Sequence, residues 1–111
     1  MRKFIEIRSY SIEPGTRNEF DLRLREQMLP LLAQRGIDVV ACRASLHDET
    51  SYYLIRAYDS LAHRAQSQES MFDHPEWKEG PREAILSLVD SYTSVVIEMD
   101  EVTIQALRQD A

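Results

Sequence analysis

Two short runs of this sequence repeat one chemical pattern, Ile7-Arg8-Ser9-Tyr10 near the start and Ile55-Arg56-Ala57-Tyr58 in the middle. In each, an arginine and a tyrosine stand two residues apart, so on an extended chain both side chains leave the same face. Two guanidinium groups and two phenols on one surface suit an anionic or carbonyl-bearing ligand, because the arginine fork matches a carboxylate and a phenol donates a hydrogen bond or a proton. In a reaction, Tyr10 or Tyr58 would serve as proton donor, and Arg8 or Arg56 would stabilise an enolate or carboxylate. Tyr92, on the same face of a later strand, and Trp77, in a segment between His74-Pro75 and Gly80-Pro81, complete the ligand-binding candidates. Plainer readings compete with this one. Glu6, Glu98 or Asp59 can pair with the arginines as a buried network, since buried charges are usually paired. Trp77 can be ordinary core packing beneath a loop.

Other chemistries find little support. His47-Asp48-Glu49 lies in a polar connection where consecutive side chains point apart, and it reads as a solvated turn. Neither His63 nor His74 has metal ligands at a helpful spacing, so no metal site is expected; His63 is the least implausible haem ligand, and no cofactor is assigned. There is no glycine-rich phosphate loop and no nucleophile elbow. The single cysteine, Cys42, cannot form an intrachain disulfide; it reads as a small core residue in a reducing, cytoplasmic compartment.

The elements that must position these residues follow from periodicity and turn chemistry. Lys3 to Ile12 alternates as a strand and stops at Glu13-Pro14-Gly15. Thr16 with Glu19 forms a capping-box pattern, and Phe20, Leu24, Met28, Leu31 and Leu32 recur at helical spacing to about Gln34. Pro30 inside that stretch predicts a kink or an early end. Ile37 to Leu46 and Ser51 to Tyr58 form a hairpin across residues 47–50. Ser60 caps a helix to about Phe72, Pro81 opens a third, and Ser91 to Met99 is the last strand. The order β-α-β-β-α-α-β predicts an α+β, ferredoxin-like sandwich over residues 1–100, with a four-stranded antiparallel sheet and helices on one face; residues 101–111 form a C-terminal tail.

With 111 residues, 43% of them hydrophobic, the chain suits one domain with one core. The formal charge of -6 argues against nucleic acid or anionic membrane as partner, because both call for a positive field. The apolar runs are too short to span a membrane.

Strand parity sorts the sheet into two faces. One carries Ile5, Ile7, Val40, Cys42, Ala44, Leu46, Tyr53, Ile55, Ala57, Val95, Ile97 and Met99 and is expected to pack on the helices. The other carries Phe4, Glu6, Arg8, Tyr10, Leu54, Arg56, Tyr58, Tyr92, Val96 and Glu98, too apolar for bulk water, and a second copy of the chain is expected to cover it as a homodimer.

The sequence resembles the NIPSNAP family of the dimeric α+β barrel superfamily. The residues that carry the resemblance are Ile5-Glu6-Ile7-Arg8-Ser9-Tyr10-Ser11-Ile12-Glu13-Pro14-Gly15-Thr16, Leu29-Pro30-Leu31-Leu32 with Gly36, Tyr53-Leu54-Ile55-Arg56-Ala57-Tyr58, and Pro75-Glu76-Trp77-Lys78-Glu79-Gly80-Pro81-Arg82 leading into Ile85. It spans roughly residues 3–99. The resemblance implies ferredoxin-like subunits paired sheet to sheet. It implies no single reaction: relatives in the wider superfamily include cofactor-independent monooxygenases, isomerases or dehalogenases, and haem enzymes, and many NIPSNAP-like proteins have no assigned chemistry. Together with the residue pattern it leads to a small-molecule pocket that binds or transforms a metabolite without a cofactor. The alternative is a non-catalytic dimerisation or protein-interaction module.

Overall fold

The computed structural model describes residues 1–108. Strand β1 (Phe4–Ile12) ends where Gly15 takes a φ of +83°, a left-handed value that glycine adopts without steric cost. The Thr16 hydroxyl then donates to the Glu13 carbonyl at 2.7 Å, so it makes no cap to the helix and the expected capping box with Glu19 does not form. Helix α1 (Arg17–Arg23) passes through a π-helical turn (Leu24–Met28) into α2 (Leu29–Gln34). In that turn the Leu29 N–H reaches back to the Leu24 carbonyl. The widened turn lies just before Pro30, which has no N–H to give and crowds the carbonyl four residues back; the helix therefore absorbs the proline instead of ending early.

Gly36, at φ +75°, turns the chain into β2 (Asp38–Ala44), which pairs with β3 (Ser51–Tyr58). The connecting turn is held by the Asp48 carboxylate, which accepts from the Thr50 and Ser51 N–H groups and the Ser51 hydroxyl. Ser60 caps α3 (Leu61–Phe72), accepting from the His63 N–H at 2.9 Å. His74-Pro75 both stops that helix and starts another: α4 (Pro75–Lys78) replaces the expected loop around Trp77, with His74 Nδ1 accepting from the Glu76 N–H. A Cβ at Gly80 would lie 2.3 Å from the Glu76 carbonyl oxygen, so only glycine lets the chain fold back tightly into α5 (Arg82–Leu86). β4 (Val89–Glu98) and α6 (Glu101–Leu107) follow, the latter capped by Asp100.

The sheet order is β2-β3-β1-β4 with every pairing antiparallel, the ferredoxin-like α+β arrangement that the element order predicts. Which face the helices take is the reverse of the expectation. Tyr10, Ile12, Cys42, Tyr52 and Leu54 pack with Phe20, Leu24, Met28, Leu32, Met71, Trp77 and Ile85 from the helices, so the face carrying Arg8 and Arg56 is the inner one. Ile5, Ile7, Tyr53, Ile55 and Ala57 lie on the outer face. The expected grouping of Val40 with Cys42 also fails. A register shift between Val39 and Ala41 puts Val40 and Ala41 in the outer cluster and returns Cys42 to the inner one. Leu46 lies beyond β2 and is fully exposed.

The segment read as a tail is structured as far as it is described. Ile104 of α6 is completely buried against Ile5, Val40, Ala41 and Ala57, covering part of the outer face; the last stretch of the expected tail, 109–111, lies outside the described residues. Arg108 forks onto Asp38 at 2.7 and 2.8 Å, and Arg2 adds a bond to the same carboxylate at 3.0 Å. The Arg108 hydrogen bonds, stronger than the burial that opposes them, hold the Asp38 carboxyl below its ordinary value. Asp38→Asn is therefore expected to lower stability by about 1–3 kcal/mol and to speed amide exchange in α6 selectively. Unchanged exchange there would show that Ile104 alone holds the helix.

Candidate functional site

The inner face is organised in cross-strand rows. Val96, Glu6 and Arg56 stand side by side on β4, β1 and β3; the next row is Ser94, Arg8 and Leu54, and the next Tyr92, Tyr10 and Tyr52. Glu6 is the hub. Its fully buried carboxylate accepts from Arg56 Nη2 at 2.9 Å, from Arg64 Nε and Nη2 at 3.1 and 3.0 Å, from Arg8 Nη2 at 3.3 Å, and from the Gln68 side-chain amide. Arg64 and Gln68 come from α3, four residues apart and so on one side of the helix. Burial by itself would raise the Glu6 carboxyl; hydrogen bonds from Arg64 and the charges of Arg56 and Arg8 outweigh it and hold the group at about 2.

Arg8 and Gln68 are the members of this network that reach a cavity. A cavity of about 680 Å³ between sheet and helices is lined by Arg8, Tyr10 and Tyr92 from the sheet and by Phe72, Trp77 and Ile85 from the helical layer, among others. The Arg8 guanidinium lies 4.7 Å from the Tyr92 ring centroid and 5.9 Å from that of Phe72, and its Nε donates to the Ser94 hydroxyl at 3.1 Å. Its position is thus fixed by Glu6, Ser94, Tyr10, Tyr92 and Phe72 before any ligand arrives. Trp77 is buried and meets Phe72 edge to face at 5.6 Å, so it is both core packing and cavity wall. The Tyr10 phenol is pushed up by burial and stays protonated at neutral pH.

Of the six candidates, the structure brings Arg8, Tyr10, Trp77 and Tyr92 together around the cavity. Arg56 and Tyr58 are separated from it. Arg56 is wholly buried behind Glu6, and Tyr58 is wholly buried against His63, with ring centroids 5.6 Å apart. Among the described residues, Arg56 Nε and Nη1 and the Tyr58 hydroxyl have no hydrogen-bond partner. The pairing of the arginines with Glu6 is present, but inside the subunit, beneath the helices. Arg64, Gln68 and Phe72 are absent from the sequence-based candidates; their i, i+4, i+8 spacing is the available signal, masked because two polar side chains at that spacing suggest a solvated helix face.

A second groove, of about 620 Å³, runs between α1 and the edge of β2. Two of its three arginines are engaged: Arg25 donates to the Asp21 carboxylate and the Cys42 carbonyl, and Arg17 to the Ser45 and Asp48 carbonyls. Here arginines occupy carbonyls at and beyond an edge strand, which blunts it against further pairing.

A four-stranded antiparallel sheet with an aromatic, arginine-bearing inner face under helices defines a ferredoxin-like α+β fold. The NIPSNAP family model matches residues 5–97, and the chain belongs to the NIPSNAP family. It is similar to an uncharacterised NIPSNAP domain protein from Burkholderia xenovorans, at 23% identity and TM-score 0.78, covering 88% of this chain and 95% of that one. A NIPSNAP family protein from Agrobacterium tumefaciens is 16% identical with TM-score 0.82, covering 92% and 90%. Outside the family, a putative antibiotic biosynthesis monooxygenase from Nitrosomonas europaea is 14% identical with TM-score 0.68, covering 89% and 91%. No curated protein matches the chain.

Proposed function

We propose that this NIPSNAP protein binds a small organic metabolite in the cavity between sheet and helices, and binds or transforms it without a cofactor. The observation that carries the reading is Arg8, clamped by Ser94, Glu6 and Tyr92 at the wall of a cavity otherwise rich in aromatic and aliphatic side chains. The volume suits a molecule of metabolite size. In a reaction, Tyr10 would donate a proton and Arg8 would stabilise the developing anion; both line the cavity, whereas Tyr58 and Arg56 do not. The functional unit is a homodimer joined through the outer face, where Val95, Ile7 and Ile55 form an apolar row across three strands. The compartment is cytoplasmic, in keeping with a single buried cysteine; no described helix is long and apolar enough to cross a membrane.

A metabolite library screened by thermal shift is expected to yield compounds that raise the melting temperature and perturb Trp77 fluorescence. Leu86→Trp, which adds bulk at a partly exposed position of the cavity wall, should abolish both effects. Hits that survive this variant unchanged, or an absence of hits, would remove the reading.

A further inference from the structure

Building on the pocket reading, we infer that the ligand is a small carboxylate with an aromatic or similarly flat apolar body, its acid group held by Arg8. The argument is one of charge. Three guanidinium groups, those of Arg8, Arg56 and Arg64, share the single carboxylate of Glu6, which leaves two positive charges in excess inside a protein of formal charge -6. Arg64 is partly exposed and meets water, while Arg56 lies entirely inside. Arg8 is nearly as buried, and its contact with Glu6, at 3.3 Å, is the longest that Glu6 makes with the three. Its positive charge is therefore the least compensated of the three that share Glu6.

Its donors point the same way. A guanidinium carries five N–H groups. Ser94 and Glu6 take Nε and one N–H of Nη2, and the Tyr10 phenol is a third hydrogen-bond partner, so two of the five N–H groups remain for a carboxylate. Around it the walls change character. Tyr92 and Phe72 flank the guanidinium, and Trp77, Ile85 and Met28 offer a surface that a flat ring covers and a second charge does not. Asp73 is the one acid of the wall; it is exposed and pairs with Lys78 at 3.8 Å, so it does not neutralise Arg8, and the wall's other cations, Lys78 and Arg82, are exposed to solvent.

The test uses the full chain and matched pairs of probes: benzoate with benzamide, phenylacetate with phenylacetamide, and indole-3-acetate with indole-3-acetamide. Binding is followed by calorimetry and by Trp77 fluorescence. At least one acid is expected to bind tenfold or more tightly than its amide, and that preference should vanish in Arg8→Gln and fall in Arg8→Lys, which keeps the charge without the fork. Amides that bind as well as their acids would overturn the carboxylate assignment and leave the pocket standing. If no acid or amide binds or changes Trp77 fluorescence, the carboxylate and the pocket both fall. The wild-type comparison decides the matter even if an Arg8 variant fails to fold.

Discussion

Glu6→Gln is expected to destabilise the protein by about 3–5 kcal/mol, a large share of what a domain of this size has to lose. The substitution keeps the shape of the side chain and removes only its charge. Arg56 then stands wholly buried with no counter-ion, and its one described hydrogen bond loses its ionic partner. Arg8 and Arg64 lose the same anion, and the three cations, held close by the sheet register and by α3, repel one another. Urea unfolding of wild type and variant at neutral pH measures the difference; a loss below about 1 kcal/mol would show that the carboxylate is not what compensates the arginines. Exchanging Glu6 and Arg56 together for Gln and Met should recover part of the loss, because an apolar side chain in place of Arg56 leaves no orphaned charge at that position.

Acid titration supplies an independent check on the same network. The folded-state value of the Glu6 carboxyl, about 2, lies below its ordinary value of 4.5. A depressed acid contributes stability that is complete above the unfolded value and is lost as pH falls through the folded one. The wild type should therefore weaken between about pH 4.5 and 2 by a Glu6 contribution on the order of 3 kcal/mol. That contribution should be missing from the slope measured for Glu6→Gln.

The network also shows what could be read from the chain and what could not. Strands, helices and their order were legible because alternation, caps and turn residues are local: Ser60 caps α3 and Gly15 turns the chain as their chemistry predicts. Alternation also groups Glu6, Arg8 and Tyr10 correctly on one face. It does not say which face the helices take. Charged residues argued for the outside, yet Glu6 is buried because Arg64 and Gln68, some sixty residues away, deliver donors to it. Parity failed outright in β2, where a bulge no periodicity announces moves Val40 away from Cys42. The candidate site divided along the same line. Arg8 and Tyr10 reach the cavity while Arg56 and Tyr58 do not, and the two Arg-Tyr runs look alike until β3 is seen to be flanked by β2 and covered by α3.

The reversed faces relocate the expected dimer contact, and they make it testable. The polar-aromatic face lies beneath the helices, so it is unavailable to a second chain; the outer face offers Val95 and Ile97, 55% and 37% exposed, beside half-buried Ile7 and Ile55. The register aligns Val95 with Ile7 and Ile7 with Ile55, giving one apolar row across β4, β1 and β3. α6 covers the neighbouring part of the face through Ile104, so the open part is the β1–β4 half. Wild-type protein is expected to scatter light as a particle of about twice 12.9 kDa at micromolar concentration. Val95→Asp and Ile97→Asp should each shift the mass to that of one chain. In a two-fold contact every substitution enters twice, and two unpaired carboxylates taken from water cost several kcal/mol, which corresponds to a hundredfold or greater weakening of the dimer. Both positions are exposed in the single chain, so the variants should keep the wild-type circular dichroism spectrum. A wild type that runs as a monomer, or variants that remain dimeric, would exclude the outer face as the joint between subunits.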